Sequence, residues 1–534
     1  MNQIGDNIKT TTFEVIEKIG NPVSVMVVVA TLESFGIRNK DVFTDYGFVT
    51  IQDLANHIYE DIKGKDIKTL LNATEKKRAS KDKLIPVSGY LWMKAKLLIQ
   101  FYPLGLFHLL PIFFQVVSII LFGYSLWTFV GFNIIQSTVV VFGVILGLIL
   151  SGGYVQVLGR QASFYWHHGE FPQFRIVVDK LIKSGMYGIV KAFLLLSLIN
   201  FFFNLYPFSF VLVTFIYAFL IGTLLLVTAP FHTLKQRWVI SFAIIVATGL
   251  ALILKLYTSF HTYFTHWIGI IAAIFISRLF LQYFFKKNNA VYEKENVKPK
   301  KLMVIYKNYR YFFYGTLIYV FLFIDRAVAW SANTGNKHQF IFLYEKNYEI
   351  GMDIAILIFF MLAGVLEYSI ASFSKFLDVK QKTVLFVNVN KFNSSFIKMY
   401  WGHVLLLLVT VLATTTVIYL IITQPWGYEA SFGEVLDTLS IRVCIIGGFG
   451  YFFLTWGMLN TLYLFTLDQP KVALKALFMA CIVNLLLGYA FSRIISYEYS
   501  VVGMLIGAII FMVITLKENM KFFRKLDYYY YASY

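Results

Sequence analysis

The fold of this chain is decided by a repeating pattern, seen in KQRWVISFAIIVATGLALILKLYTSFHTYFTHWIGIIAAIFISRLFLQYFFKK (residues 235–287). Basic residues begin and end this stretch, and two apolar runs, 238–257 and 261–285, lie between them. The short gap around Thr258 that separates the runs carries no basic residue. Each run reaches the about 20 residues that a helix needs to cross about 30 Å of hydrocarbon. The stretch therefore predicts two membrane-spanning helices joined by a short turn.

The same alternation continues over most of the chain. We predict twelve spans, at 100–123, 128–157, 177–204, 208–230, 238–257, 261–285, 310–332, 348–373, 399–423, 437–467, 471–493 and 499–517. Lysines and arginines concentrate in every second gap, whereas the gaps around Ser125, Pro207 and Thr258 carry none. Cytoplasmic loops have this excess of basic residues. The pattern predicts a multi-pass protein of the bacterial inner membrane with both termini in the cytoplasm.

Composition agrees with an all-α membrane protein. The 534 residues are 58% hydrophobic and 14% charged, with a mean hydropathy of +0.68, whereas soluble chains have roughly 25% charged residues. Helix is the expected structure, because backbone groups in lipid must be satisfied internally. The net charge of +18 follows the membrane topology and forms no single basic face, which excludes nucleic acid as the expected partner. The basic residues are expected to meet anionic lipid headgroups.

The predicted domains are a cytoplasmic N-terminal helical module with its linker (1–98), a first six-helix lobe (99–285), a cytoplasmic loop (286–309), a second six-helix lobe (310–517) and a cytoplasmic tail (518–534). In the module, Thr50 and Asp53 form a capping signal for an amphipathic helix over 50–62. The apolar run Val23–Ala30 is too short to cross a membrane. Two interpretations of the module remain open: it recruits a partner enzyme, or it caps the bundle.

Charged side chains inside the predicted spans are candidate functional residues, because each costs about 2.5–3.5 kcal/mol at the membrane centre. Snorkelling from a span end is the favoured interpretation of Lys255 and Arg493. For Lys191 and Arg278, snorkelling and a functional role are equally good interpretations. Glu367 is too short to snorkel far, which favours a polar cavity. The full set is Lys191, Lys255, Arg278, Asp325, Arg326, Asp353, Glu367, Arg442 and Arg493.

Asp325 and Arg326 are adjacent and end an apolar run. Adjacent residues on a helix do not share a face, so a salt bridge between them is not expected. Either they meet partners on other helices, or they lie at the outer water boundary.

Motifs of soluble catalysis and nucleotide binding are absent from the sequence. It contains no Walker A motif, nucleophile elbow or dinucleotide fingerprint, and the pair His167–His168 has no companion suited to a metal site. We predict no catalytic residue, cofactor or metal. Cys444 and Cys481 lie in apolar runs and are expected to be buried free thiols. His108 and His403 are the intramembrane bases that a transferase would need, but a packed helix histidine is the favoured interpretation.

Three stretches resemble the Pel exopolysaccharide transporter family, a branch of the MOP flippase superfamily. They are IDRAVAWSANTG (324–335), KNYEIGMDIAILIFFMLAGVLEYSIASFSKFLD (346–378) and LYLFTLDQPKVALKALFMACIVNLLLGYAFSRI (462–494). The residues that match the family pattern are Asp325, Arg326, Trp330, Glu367 and Tyr368. The N-terminal module departs from it, since that family starts close to its first span.

This resemblance implies twelve helices in two lobes that work by alternating access. It implies export of a Pel-like amino-sugar polymer, with a cytoplasmic glycosyltransferase and other membrane synthase-complex subunits as partners. A cationic polymer would use Asp325, Asp353 and Glu367. Alternatives are a lipid-linked oligosaccharide flippase, which would place Lys191, Arg278 and Arg442 in the cavity, a drug extruder of the same superfamily, a membrane-embedded sugar or lipid transferase, and an assembly scaffold.

The charge alternation makes a topology prediction. In a variant without Cys444 and Cys481, Gly433→Cys is expected to react with an impermeant thiol reagent in intact cells, whereas Asn289→Cys is not, because its loop is basic. Permeabilised cells, in which both cysteines react, are the control. Labelling of Asn289→Cys in intact cells would contradict the topology.

Overall fold

The computed structural model describes residues 2–20, 22–37, 39–64, 87–106, 109–289, 301–332, 340–383, 389–425 and 427–532. The regular structure of these residues is helical, apart from one isolated β-bridge between Tyr124 and Phe129, and this confirms the all-α class. His108, the linker within 65–86 and residues 290–300 of the predicted loop 286–309 lie outside the described residues.

The described part of the N-terminal module contains four helices: α1 (Asn2–Ile19), α2 (Val25–Ser34), α3 (Asn39–Tyr46) and α4 (Ile51–Gly64). The predicted cap of α4 is present, because the backbone N–H of Asp53 donates to Thr50 Oγ1 and the N–H of Thr50 donates to Asp53 Oδ2, both at 3.2 Å. Leu54 and Ile58 of α4 are fully buried against α2 and α1. The amphipathic face predicted over 50–62 is therefore the core of this module.

The membrane region begins with α5 (Val87–Leu106) and α6 (Leu109–Phe122). The helices that follow are α7 (Ile134–His167), α8 (Phe171–Phe203), α9 (Phe208–Thr228), α10 (Pro230–Thr233), α11 (Trp238–Tyr257), α12 (Thr262–Asn289), α13 (Lys301–Trp330), α14 (Lys346–Thr383), α15 (Val389–Thr423), α16 (Tyr428–Phe432), α17 (Thr438–Thr466), α18 (Pro470–Ile494), α19 (Ser500–Arg524) and α20 (Leu526–Ala532). Eleven helices within the described ranges are long and apolar enough to cross a membrane. The chain is a multi-pass membrane protein.

Eleven of the predicted spans fall on these eleven helices. Several helices continue past the predicted end on the side that carries the basic gaps; α7, for example, continues to His167 and α14 to Thr383. The first predicted span, 100–123, is divided between α5 and α6. Helix α5 also starts well before residue 99, where the first lobe was expected to begin.

The membrane helices pack in two groups. Helices α7, α8, α9, α11 and α12 contact one another and form the first group, while α14, α15, α17, α18 and α19 form the second group. Helix α13 packs on α7 of the first group and on α18 of the second. Helix α6 packs on α11, but α5 packs on α14 of the second group. The chain before residue 109 therefore belongs in part to the second group, which the sequence did not indicate.

Glycines allow α7 and α13 to cross closely. A Cβ atom added to Gly315 would lie 2.6 Å from the carbonyl oxygen of Gly152, and one added to Gly153 would lie 2.6 Å from Thr316 Oγ1. Small residues permit this backbone approach in membranes, where packing rather than water expulsion holds helices together. The crossing joins the two groups near the middle of α7.

The N-terminal module packs on the C-terminal helix α20. Ser24 Oγ donates to Asp527 Oδ2 at 2.6 Å, and Asn393 Nδ2 at the start of α15 donates to Asp527 Oδ1 at 3.1 Å. Asp527 is 4% exposed, so both of its carboxylate oxygens are satisfied inside the contact. This contact matches the interpretation of the module as a cap.

The α7–α13 crossing makes a stability prediction. Gly315→Leu is expected to lower the free energy of unfolding by about 1–3 kcal/mol, because the new side chain meets the backbone of Gly152. The matched control is Gly249→Leu in α11, where a Cβ atom meets nothing within 4 Å. Thermal unfolding in detergent measures both. Equal melting temperatures for the two variants would contradict the close crossing.

Candidate functional site

A buried charged cluster lies between α13 and α14. Arg326 Nη1 donates to a carboxylate oxygen of Glu349 and, at 3.1 Å, to Asp353 Oδ1. The side chains of Arg326 and Glu349 are 5% and 1% exposed, whereas that of Asp353 is 65% exposed. The cluster therefore has a dry ion pair at its centre and one carboxylate at the surface. We call Asp325, Arg326, Glu349 and Asp353 the Arg326 cluster.

Two aromatic residues complete the hydrogen bonding of this cluster. Trp330 Nε1 donates to Glu349 Oε1 at 2.8 Å, and the Tyr348 hydroxyl donates to Asp325 Oδ2 at 2.7 Å. Trp330 follows Arg326 by one turn of α13, so both side chains lie on the face of α13 that meets Glu349 of α14. Asp325 is fully buried on a different side of α13, where it meets Tyr348.

The structure decides between the two interpretations of Asp325 and Arg326, since their partners lie on another helix. Sequence reasoning missed Glu349, because it stands at the end of a predicted span, where a carboxylate is normally hydrated. The spacing of Glu349 and Asp353, four residues apart on one helix face, was the signal that a single basic partner could be shared. The cluster has three carboxylates for one guanidinium, and its formal charge is negative.

Among the residues that the structure describes, two ion pairs connect the first and second groups. Arg237, at the start of α11, donates from Nη2 to Glu367 Oε1 of α14 at 2.7 Å, with side chains 13% and 33% exposed. Arg160 of α7 pairs with Asp468, before α18, with 2.8 Å between Nη2 and Oδ1. The Tyr311 hydroxyl of α13 donates to the same Asp468 oxygen at 2.6 Å. Both pairs lie on the side of the bundle that carries the basic gaps, and we call them the cross-group pairs.

The opposite side of the bundle is joined by a different contact. The segment 340–344 before α14 lies on the first group, where the backbone N–H of Phe342 donates to the Tyr206 hydroxyl at 2.9 Å. The N–H of Tyr344 donates to Thr138 Oγ1 of α7 at 3.0 Å. Burial raises the pKa of Tyr206 above its ordinary value, so its hydroxyl stays neutral. The groups are therefore joined on this side by hydrogen bonds and by contacts between aromatic rings, whereas the basic side uses ion pairs.

The other predicted residues do not converge on the Arg326 cluster. Glu367 and Tyr368 follow Asp353 on α14 by four helical turns, about 20 Å along the axis. Arg278 pairs with Asp179 inside the first group, at 2.8 Å. Lys191 is exposed on α8.

Three further predicted residues lie apart from the cluster. Arg442 is 64% exposed and contacts Glu498 at 3.5 Å. Lys255 Nζ donates to Thr262 Oγ1 at 2.8 Å, and Arg493 donates to the carbonyl oxygen of Ser331 at 2.7 Å. Each has a local partner close to a helix end.

The interpretation of His403 as a packed helix residue is confirmed, since its Nδ1 shares a hydrogen bond with the Tyr463 hydroxyl. The ring of Tyr368 lies against the His403 ring, with centroids 5.6 Å apart. Cys444 and Cys481 are buried and free, as expected.

The Arg326 cluster makes a second stability prediction. Glu349→Ala is expected to cost about 3–5 kcal/mol of folding free energy, because Arg326 keeps a buried charge without its main partner. Asp353→Asn is the control, and we expect a cost below about 1 kcal/mol since Asp353 is largely exposed. Replacing both Arg326 and Glu349 by Leu should cost less than Glu349→Ala alone. Heat denaturation of the purified variants measures all three, and equal losses for Glu349→Ala and Asp353→Asn would rule out a buried pair.

Solved structures similar to this chain are transporters. A Vibrio cholerae MATE transporter (VcmN) aligns with a TM-score of 0.58 and 15% identity, over 82% of this chain and 99% of that one. A MOP superfamily transporter from Pyrococcus furiosus aligns with a TM-score of 0.54 and 13% identity, over 81% of this chain and 97% of that one. An outward-facing multidrug resistance MATE family transporter aligns with a TM-score of 0.53 and 14% identity, over 80% of this chain and 96% of that one.

No family model and no curated protein matches the chain. The resemblance to the Pel exopolysaccharide transporter family is therefore not supported by these comparisons. The expected MOP-type fold is supported, because the aligned regions include nearly the whole of each transporter. At these identities the likeness shows the fold: the chain has the helical fold of the MATE transporters of the MOP superfamily.

Proposed function

We propose that this protein is a transporter that works by alternating access between its first and second helix groups. The observation that carries the proposal is the pair of cross-group ion pairs, Arg237–Glu367 and Arg160–Asp468, on one side of the bundle. A transporter of this kind needs contacts that close one side and then separate. The MATE-like fold and the close crossing of α7 with α13 support the same mechanism.

The strength of the cross-group pairs suits such a closure. Each has a partner that is at least a third exposed, Glu367 at 33% and Asp468 at 53%, so water screens the interaction. Pairs of this kind contribute at most about 1 kcal/mol each. A cargo can shift a conformational equilibrium only by the difference in its binding free energy for the two states. Because the two pairs are weak, a modest difference in binding free energy is enough to separate both of them.

The crossing of α7 and α13 is the proposed pivot. The backbones of α7 and α13 come close at Gly152 and Gly315, and the rings of Tyr319 and Phe312 lie over Gly152 and Gly153. A crossing near the middle of both helices moves least when the groups rotate, whereas the ends of the groups move furthest. The ion pairs and the segment 340–344 stand at those two ends.

The cargo that we propose is cationic, with an amino-sugar exopolysaccharide as the leading candidate. The Arg326 cluster has three carboxylates for one guanidinium, and Asp353 is exposed and available to an amine. The cluster lies within 324–335 and 346–378, two of the stretches that resemble polysaccharide exporters. In this proposal the basic side faces the cytoplasm of a bacterial cell, where a glycosyltransferase and its synthase complex supply the polymer.

A lipid-linked oligosaccharide flippase remains an alternative with less support. Its pyrophosphate would need a basic cavity, but Arg278 already pairs with Asp179 and Arg442 contacts Glu498 in the second group. The absence of a nucleotide-binding motif from the sequence favours an ion gradient, the membrane potential or coupled synthesis as the energy source. Moving one charge through 100 mV supplies about 2.3 kcal/mol.

A charge exchange tests the closure. Arg237→Glu alone is expected to lower the transport rate severalfold, because it replaces the attraction by a repulsion of similar size between two carboxylates. Combining it with Glu367→Arg should restore most of the rate, since the pair is re-formed in reverse. The matched control is the same exchange at Arg442 and Glu498, which should leave transport unchanged. No recovery in the Arg237–Glu367 exchange would contradict closure by this pair.

The cargo is tested separately in vesicles that contain the purified protein. Uptake of a fluorescent deacetylated amino-sugar oligomer is expected, while its fully acetylated, neutral counterpart should be a poor cargo. Asp353→Asn should lower uptake of the cationic oligomer severalfold, because it removes the exposed carboxylate. Equal uptake of both oligomers would overturn the cationic cargo and leave alternating access untouched.

A further inference from the structure

A wedge-shaped cavity of about 400 Å³ lies between α5, α14 and α15. Helices α5 and α14 touch at Gly105, where an added Cβ atom would lie 2.6 Å from Gly364 Cα. The cavity lies further along the same two helices, where Ala95 and Leu98 of α5 and Ser372 and Phe376 of α14 line it. Its lining residues are Ala95, Leu98, Tyr368, Ser372, Phe376, Ser395, Lys398, Met399, Gly402, His403 and Leu406. The volume is within the about 300–1,000 Å³ typical of small-molecule sites.

One end of the wedge is basic and polar. Lys398 and Ser395, near the start of α15, line it together with Ser372 of α14. Lys375, one turn after Ser372, reaches toward α5, with its Nζ 5.4 Å from the centroid of the Phe101 ring. Both lysines are exposed and lie where α14 ends and α15 begins, the side for which the basic gaps predict the cytoplasm.

The other end of the wedge is lined by Gly402, Leu406 and the rings of Tyr368 and His403, and it lies beside an apolar outer face of α15. Gly402 and Leu406 of α15 line the wedge. Beside them on the same helix, Leu405 is 62% exposed and Val409 is 53% exposed, as expected for a face turned toward acyl chains. The neighbouring Trp401 is 47% exposed, and tryptophan is common at the level of lipid headgroups. The wedge thus has a basic mouth at headgroup depth and an apolar body beside the lipid.

We propose that this wedge is a binding site for an anionic phospholipid of the inner leaflet. The phosphate lies between Lys398 and Lys375, and Ser395 and Ser372 donate hydrogen bonds to its oxygens. An acyl chain fills the space between Ala95, Leu98 and Leu406. Charge complementarity selects this occupant, because the cytoplasmic leaflet is rich in anionic lipid and basic pockets between spanning helices bind such headgroups.

This site is separate from the proposed transport path and does not depend on the cargo. It lies between α5, α14 and α15. Tyr368 lines the wedge, and its neighbour Glu367 points to Arg237 of the first group. A bound lipid therefore supports α14 next to the cross-group contact.

Native mass spectrometry of the full-length protein, with added phosphatidylglycerol or phosphatidylcholine, tests the site. We expect retained phosphatidylglycerol and little retained phosphatidylcholine. Gly402→Leu should remove most of the bound lipid, because its Cβ atom meets nothing within 4 Å and the leucine fills the wedge without a backbone clash. Combining Lys398→Gln with Lys375→Gln should lower retention of phosphatidylglycerol severalfold, because it removes the positive charges proposed to hold the phosphate.

Matched controls separate the wedge from general effects. Gly249→Leu adds the same side chain at an open position of α11, and Lys521→Gln removes a lysine that pairs with Glu518 on α19. Both should retain lipid as the parent protein does. Equal retention of the two lipids, full retention by Gly402→Leu, or displacement of the lipid by inorganic phosphate alone would each overturn the proposal. If either Gly402→Leu or the double lysine variant aggregates on size exclusion, lipid retention by the other variant decides the test.

Discussion

The close backbone contact between α7 and α13 is the constraint on which the arrangement of the two helix groups depends. Gly152 and Gly153 face Gly315 and Thr316 there, and no larger side chain fits. In lipid, helices gain nothing from expelling water, so a close fit of backbones has to supply the attraction. The contact joins the groups at one place and leaves their ends to be held by weaker interactions.

The ion pairs of the bundle differ in strength, and the difference follows from their surroundings. On the basic side, Arg237–Glu367 and Arg160–Asp468 are partly hydrated, so each contributes little. Arg326 and Glu349 form the opposite case, because both are nearly fully buried inside one pair of helices. Breaking such a pair by removing one partner is costly. The same residue types thus form a buried pair between α13 and α14 and partly hydrated pairs between the groups.

The ends of the chain meet on the basic side of the bundle. Asp527 of the C-terminal helix accepts hydrogen bonds from Ser24 of the module and from Asn393 of α15. This three-way contact connects the module to the second group, which also binds α5. The module therefore rests on the group that contains the Arg326 cluster, and any recruitment of a partner would use its remaining surface.

Much of the fold was determined by the sequence itself. Hydropathy and the positions of the lysines and arginines predicted twelve spans, and eleven of them fall on spanning helices of the described residues. They were predictable because crossing lipid demands a long apolar run and a satisfied backbone whatever the neighbours are. The cap of α4 and the buried cysteines were also predictable, since each depends on residues close in the chain or on burial alone.

The site was predicted only in part. Asp325, Arg326, Trp330 and Asp353 were singled out, and they do come together, but Glu349 was missed and Glu367 lies about four turns away. The partners of a charged side chain are set by the rotation and crossing of helices that are distant in sequence. Only the tertiary structure decided that Arg326 meets Glu349, that Glu367 meets Arg237, and that α5 leaves a wedge beside α15, because hydropathy specifies that a helix crosses the membrane but not which neighbour its charges face.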